Sequence, residues 1–149
     1  MILVICVDDQ WGLSFNGRRQ SRDKAQRRHL IGLAEGAPVW MNEYTGRLFR
    51  ADGFIPEDLP DADYREPEGA ADIRIAEDFL RQAGRHEYAF AEAGDFEDIM
   101  DRVEGVIVYK WGRQYASDVI FPRRVLKKFK LAGSETFKGT SHEIGRAHV

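Results

Sequence analysis

Six consecutive apolar residues, Ile2-Leu3-Val4-Ile5-Cys6-Val7, are cut off abruptly by Asp8-Asp9. The run is rich in β-branched residues and does not alternate with polar ones. That predicts a strand buried on both faces, the kind found in parallel sheets covered by helices on each side. Such a strand needs enough chain to wrap it. The 149 residues suffice for one domain, residues 1–149, with a substantial core. Hydrophobic residues at 43% and charged residues at 32% give the balance of a folded rather than a disordered chain. The net charge of −3 is too small to name a partner. The first apolar run lacks the basic start and length of a signal peptide, and no run approaches the ~20 residues of a membrane span. Cys6 is the only cysteine, so no internal disulfide can form. These features predict a cytoplasmic protein without a membrane partner, with Cys6 packed as a small hydrophobe in the core.

Further along, the pattern alternates strand and helix. Asp8 to Gly17 reads as a loop. Residues 22–35 read as a helix capped by Ser21 and ended by Gly36, with Ala25, His29, Leu30, Leu33 and Ala34 as its apolar stripe. Pro38-Val39-Trp40-Met41 reads as a strand, and residues 42–50 as a short helix. Residues 51–71 hold Pro56, Pro60 and Pro67 among acids and read as a long loop. Strands are expected at 72–75, 87–91 and 106–109, and helices at 76–83 and 95–103. Residues 113–118 suggest a short helix, 123–131 a strand, and 141–149 an edge strand or a frayed end. Alternation of this kind implies βαβ units around a largely parallel sheet.

Three stretches carry a resemblance. They are the strand and loop from Val4 through Trp11-Gly12 to Asn16-Gly17, then Pro38-Val39-Trp40-Met41 after a helix, then Val106-Ile107-Val108-Tyr109-Lys110-Trp111-Gly112-Arg113-Gln114-Tyr115. In order and spacing, over residues 1–45 and 95–120, they resemble the dihydrofolate reductases. The resemblance implies a dihydrofolate reductase-like α/β fold, a mostly parallel central sheet flanked by helices on both faces, and NADPH as the family's cofactor. The ligand-contacting positions depart from the family. Its acidic residue on the first helix, which assists protonation of the pterin, matches Gln26, and a neutral amide cannot serve as that acid. Asp23, one turn earlier, is the remaining candidate acid and requires a shifted helix register. The arginine of the family's Gly-Arg-x-Thr cofactor turn matches Glu43, which reverses the charge. Trp111 stands where a glycine would let backbone approach the cofactor pyrophosphate. Leu13-Ser14 replaces the Ile-Gly of the mobile loop, and the tail after Gly112 is short enough to predict that the closing hairpin is missing. The reading is a reductase-like scaffold that no longer performs that reaction, with no cofactor expected.

Among the remaining signals, charge is the strongest. Arg18, Arg19, Arg22, Lys24, Arg27 and Arg28 fall within eleven residues and are opposed only by Asp23. Arginine suits phosphate, and Arg18 and Arg19 precede a helix start. Arg123, Arg124, Lys127, Lys128 and Lys130 form a second basic set, expected to approach the same cleft. The competing account is a solvated basic face neutralised by acids of residues 57–72. Trp11 and Trp111, beside predicted strand ends, are candidates to stack a flat ligand, and Trp40 is expected in the core. The candidate ligand-binding set is therefore Trp11, Arg18, Arg19, Arg22, Lys110, Trp111 and Arg113. The four histidines lack metal-ligand spacing, and Asp8-Asp9 is read as a turn cap rather than a metal or acid–base pair. No Walker or Rossmann fingerprint occurs. Three functions follow: binding of a small phosphorylated or nucleotide-like anion, NADPH-dependent reduction of an altered substrate, and RNA binding or processing through both basic stretches.

Overall fold

The computed structural model describes residues 1–55, 71–139 and 143–148. A seven-stranded sheet runs through them. Its strands are β1 (Ile2–Val7), β4 (Pro38–Met41), β5 (Asp72–Ile75), β6 (Tyr88–Phe90), β7 (Gly105–Lys110), β9 (Gly133–Lys138) and β10 (Glu143–His148), in the order β5-β4-β6-β1-β7-β10-β9. The first five are mutually parallel, and β10 and β9 close one side antiparallel. The chain is thus an α/β protein with a parallel central sheet.

β1 is the central strand of the seven and has a parallel neighbour on each side, as its uninterrupted apolar run requires. Leu3, Ile5 and Val7 enter the core on one face, and Val4 enters the core on the other. β7 divides in the same way, Val106 and Val108 to the first face, Ile107 and Tyr109 to the second. Full burial of such side chains contributes about 1.5–3 kcal/mol each, so these two strands anchor both layers. On the second face lie α1 (Lys24–Ala34) with Leu30, Ile31 and Ala34, and α2 (Glu43–Ala51) with Phe49. On the first lie Phe79 of α3 (Phe79–Gln82) and two 3-10 segments, Glu97–Arg102 and Arg123–Lys128.

Several local expectations change. Asp23, not Ser21, caps α1: its carboxylate accepts from the Ala25 N–H at 2.8 Å, where negative charge also suits the helix dipole. Glu35, at φ 50°, takes the left-handed C-cap ahead of Gly36. The buried stripe of α1 is Gln26, Arg27, Leu30, Ile31 and Ala34, rotated toward a charged residue because Asp52 neutralises Arg27 inside. The segment expected as a strand at 123–131 is instead a 3-10 turn. Pro122 removes a ladder donor, and Val125, Leu126 and Phe129 pack at helical rather than alternating spacing. Residues 113–118 form no helix, and the 95–103 helix is 3-10 at Glu97–Arg102.

The loop expected from Asp8 to Gly17 contains a hairpin. β2 (Gly12–Phe15) pairs antiparallel with β3 (Arg18–Arg19) and with β8 (Val119–Ile120) in a second, three-stranded sheet. Asn16 and Gly17, at φ 51° and 72°, make the two-residue turn that Asn-Gly favours. Contrary to the expectation from its length, the tail after Gly112 does form a closing hairpin, and β10 is an inner strand rather than an edge. Of the stretch 51–71, residues 56–70 lie outside the described residues, while Phe54 and Ile55 return to the core. No helix among the described residues is long and apolar enough to cross a membrane.

Candidate ligand-binding cleft

The carboxyl ends of parallel strands are where α/β sheets open crevices. Here Cys6 of β1, Phe90 of β6, Glu92 just beyond it and Trp111 just after β7 meet at that edge. Leu13 of β2, Arg19 of β3 and the following Gln20, Ser21 and Arg22 cover them, and Gln26 and Arg27 of α1 and Leu48 of α2 complete the wall. The enclosed space is small, about 20 Å³, room for about one water-sized group. Outside it lies an open basin of about 730 Å³ lined by residues 16–22 and Tyr44.

Two ion pairs, one half-buried and one buried, frame the cavity. Arg19 grips Glu92 with both forks, Nε to Oε2 at 2.7 Å and Nη2 to Oε1 at 2.9 Å, while its guanidinium lies 4.2 Å from the Tyr44 ring centre. Burial opposes the Arg19 charge, but the Glu92 hydrogen bond and charge outweigh it and hold the pKa above its ordinary value. Thr45 Oγ1 donates to Glu92 Oε1 at 2.8 Å. Arg27 is bidentate to Asp52, with Nη2 to Oδ1 at 3.1 Å and side-chain exposures of 8% and 6%. Two of the six residues of the first basic cluster, Arg19 and Arg27, are thus neutralised by acids distant in sequence. Arg18 and Arg22 are exposed at the basin and form no ion pair among the described residues.

Asp8 organises the roof. Its Oδ1 accepts from the N–H groups of Gln10 (2.9 Å) and Gly12 (2.8 Å), and its Oδ2 from Gln20 Nε2 (3.0 Å) and the Tyr115 N–H (3.1 Å). Burial works against the carboxylate charge, but these four donors outweigh it and hold the pKa below the usual range. Asp8 is therefore a turn cap that joins three loops. Gly12 beside it cannot gain a side chain, since a Cβ would stand 2.6 Å from Ser117 Cβ.

Three residues that line the cavity retain buried polar atoms without hydrogen-bond partners among the described residues: Gln20 Oε1, Gln26 Nε2 and Arg27 Nη1. Gln26 is 2% exposed. The orientation of Gln20 is fixed, because its Nε2 already donates to Asp8 and to the Ala116 carbonyl at 3.2 Å. Cys6 is half-buried at the cavity wall rather than sealed in the core, and burial, with Glu92 adding to it, pushes its thiol pKa well up.

Of the sequence-derived set, Arg19, Arg22 and Trp111 line the cavity, and Arg18 lines the basin. Trp11 and Lys110 meet elsewhere: the half-buried indole, at φ 63°, has the Lys110 ammonium 5.4 Å and the Arg123 guanidinium 5.8 Å from its ring centre. Arg113 is exposed and contributes its carbonyl to the Asp9 N–H. Asp23 does not line the cavity, and its carboxylate caps α1. The second basic set does not reach the cavity: its 3-10 segment packs on the face of the sheet opposite α1, and Arg124 pairs with Glu97. Trp40 packs against the core and donates Nε1–H to Glu87.

Glu43 opens α2 with negative charge and pairs with Arg50, and Trp111, 4% exposed, fills the cavity wall. Gln20, Glu92 and Asp52 were missed in the sequence. Glu92 alone left a signal, an acid just past the end of a buried strand, where clefts open. No family model matches the chain, and no curated protein matches its sequence.

Proposed function

We propose that the protein is a dihydrofolate reductase-like scaffold reassigned to binding a small phosphorylated or nucleotide-like anion in this cleft. The observation that carries the reading is the group of three unpartnered polar atoms on Gln20, Gln26 and Arg27 at a single cavity. Buried polar groups are almost always satisfied, and an exception marks a ligand or water position. The parallel strand order with its antiparallel closing hairpin supports the reductase-like plan. Arg18 and Arg22 at the basin supply uncommitted positive charge for the anion.

The test is a titration of the purified chain with UMP, AMP and NADPH, followed by tryptophan fluorescence and by calorimetry. Trp111 lines the cavity, so its fluorescence reports occupancy. A nucleoside monophosphate should bind saturably, with Arg22→Ala weakening it by about tenfold. No response to either monophosphate sinks the reading. Saturable NADPH binding would instead restore the NADPH-dependent reductase. A second reading, RNA binding, draws on one observation, Trp11 flanked by Lys110 and Arg123. It requires RNA affinity that falls steeply with salt and is lost in Arg123→Ala.

A further inference from the structure

The chemistry of the cavity narrows the ligand, on the footing of the binding reading above. Gln20 offers an acceptor, its Oε1, while Gln26 Nε2 and Arg27 Nη1 offer donors, and none of the three has a partner. The charges beside them are already cancelled, Arg27 by Asp52 and Arg19 by Glu92. Arg22 also lines the space but is exposed and opens to the basin, so an ionic group buried beside these three atoms would meet only charges already paired, and burying an unpaired charge is costly. The cavity therefore calls for a neutral group that donates one hydrogen and accepts two, in a volume of about 20 Å³. A carbonyl oxygen only accepts and an ammonium only donates, whereas a hydroxyl does both with one O–H and two lone pairs. Water meets the same description and is the molecule that a ligand hydroxyl would displace.

We propose that the cleft takes a phosphorylated sugar. One hydroxyl enters the cavity, donating to Gln20 Oε1 and accepting from Gln26 Nε2 and Arg27 Nη1, and the phosphate stays in the basin beside Arg18 and Arg22. Ribose 5-phosphate, free or as the core of a nucleotide, is the shared chemistry.

The experiment compares ribose 5-phosphate, pentyl phosphate and UMP on the intact chain, by calorimetry and by tryptophan fluorescence. Pentyl phosphate keeps the anion and the carbon count but has no hydroxyl. Ribose 5-phosphate should bind about tenfold or more tightly than pentyl phosphate. Gln26→Met and, separately, Gln20→Met should erase that preference, with cooperative melting showing that both variants are folded; Gln20→Met melts lower, because it also removes a donor to Asp8. UMP tighter than ribose 5-phosphate would assign the sugar to a nucleotide, and equal affinity would assign it to a free pentose phosphate. Equal binding of ribose 5-phosphate and pentyl phosphate overturns the hydroxyl site and leaves the anion-binding reading standing. UMP binding without any response to ribose 5-phosphate gives the cavity to the base and also overturns it. Failure of all three ligands sinks the binding reading itself.

Discussion

Two clusters of buried polar groups adjoin at the carboxyl end of the sheet, joined through Gln20, and they are built to opposite rules. Around Asp8, four donors converge on two carboxylate oxygens, and the fold itself supplies each of them. At the cavity, Gln20, Gln26 and Arg27 each keep one polar atom for which the fold supplies nothing. A satisfied cluster fixes a shape. An unsatisfied one costs stability wherever it is buried, so it persists where something outside the chain completes it. The difference separates groups that hold the cleft from groups that use it.

The comparison can be broken most forcefully at Arg27, which belongs to both kinds. Arg27→Met strands the buried Asp52 carboxylate, and urea unfolding should show a loss of about 3–5 kcal/mol. A loss under about 1 kcal/mol would mean that the pair is solvated and the cavity wall is not rigid.

Asp8→Asn should cost less, about 2–3 kcal/mol, because one amide oxygen still accepts while the Nδ2 side faces two donors. The pH dependence sharpens the point. The folded-state pKa of Asp8 is depressed, so its contribution is complete above the unfolded value of about 3.9 and is lost as pH falls through the lower folded value. Wild-type protein should lose this increment on acidification below about pH 4, and Asp8→Asn should flatten that part of the curve. An unchanged acid limb would show that Asp8 is not held as a carboxylate by its four donors.

The smallest effect is expected at Gln26. Gln26→Met removes an unpartnered buried donor at nearly constant volume, so stability should change by less than about 0.5 kcal/mol or rise by about 1 kcal/mol. A loss of about 2 kcal/mol in the free protein would place Gln26 among the structural groups and remove the contrast.

The scaffold was far more legible than the site. Ile2–Val7 and Val106–Tyr109 announce buried strands because burial on two faces forbids polar residues, a constraint written into consecutive positions. Met100 and Val103 likewise pack in the core even though the helix expected there winds as 3-10. What escaped was non-local. Arg19 and Arg27 read as a basic face because Glu92 and Asp52 sit 73 and 25 positions away. The Asn16-Gly17 turn is visible in the sequence but its hairpin is not, since the flanking strands are too short to show alternation. Length alone argues against the closing hairpin. Cys6 packs against the core as a small hydrophobe and also lines the cavity, because no periodicity tells a strand's middle from its mouth.

The position of β10 has a consequence for the order in which the molecule is made. β10 lies between β7 and β9, so β7 has no neighbour on that side until residues 143–148 are in place. During synthesis, its outer N–H and C=O groups form an open template for another chain. The aromatic side chain that closes this flank also arrives late: Phe137 stacks on His29 of α1 at 4.7 Å and meets Tyr109 edge-on. Any chain in which the hairpin has not yet docked therefore shows an open strand edge, and that interval is when it is most open to aggregation or chaperone capture.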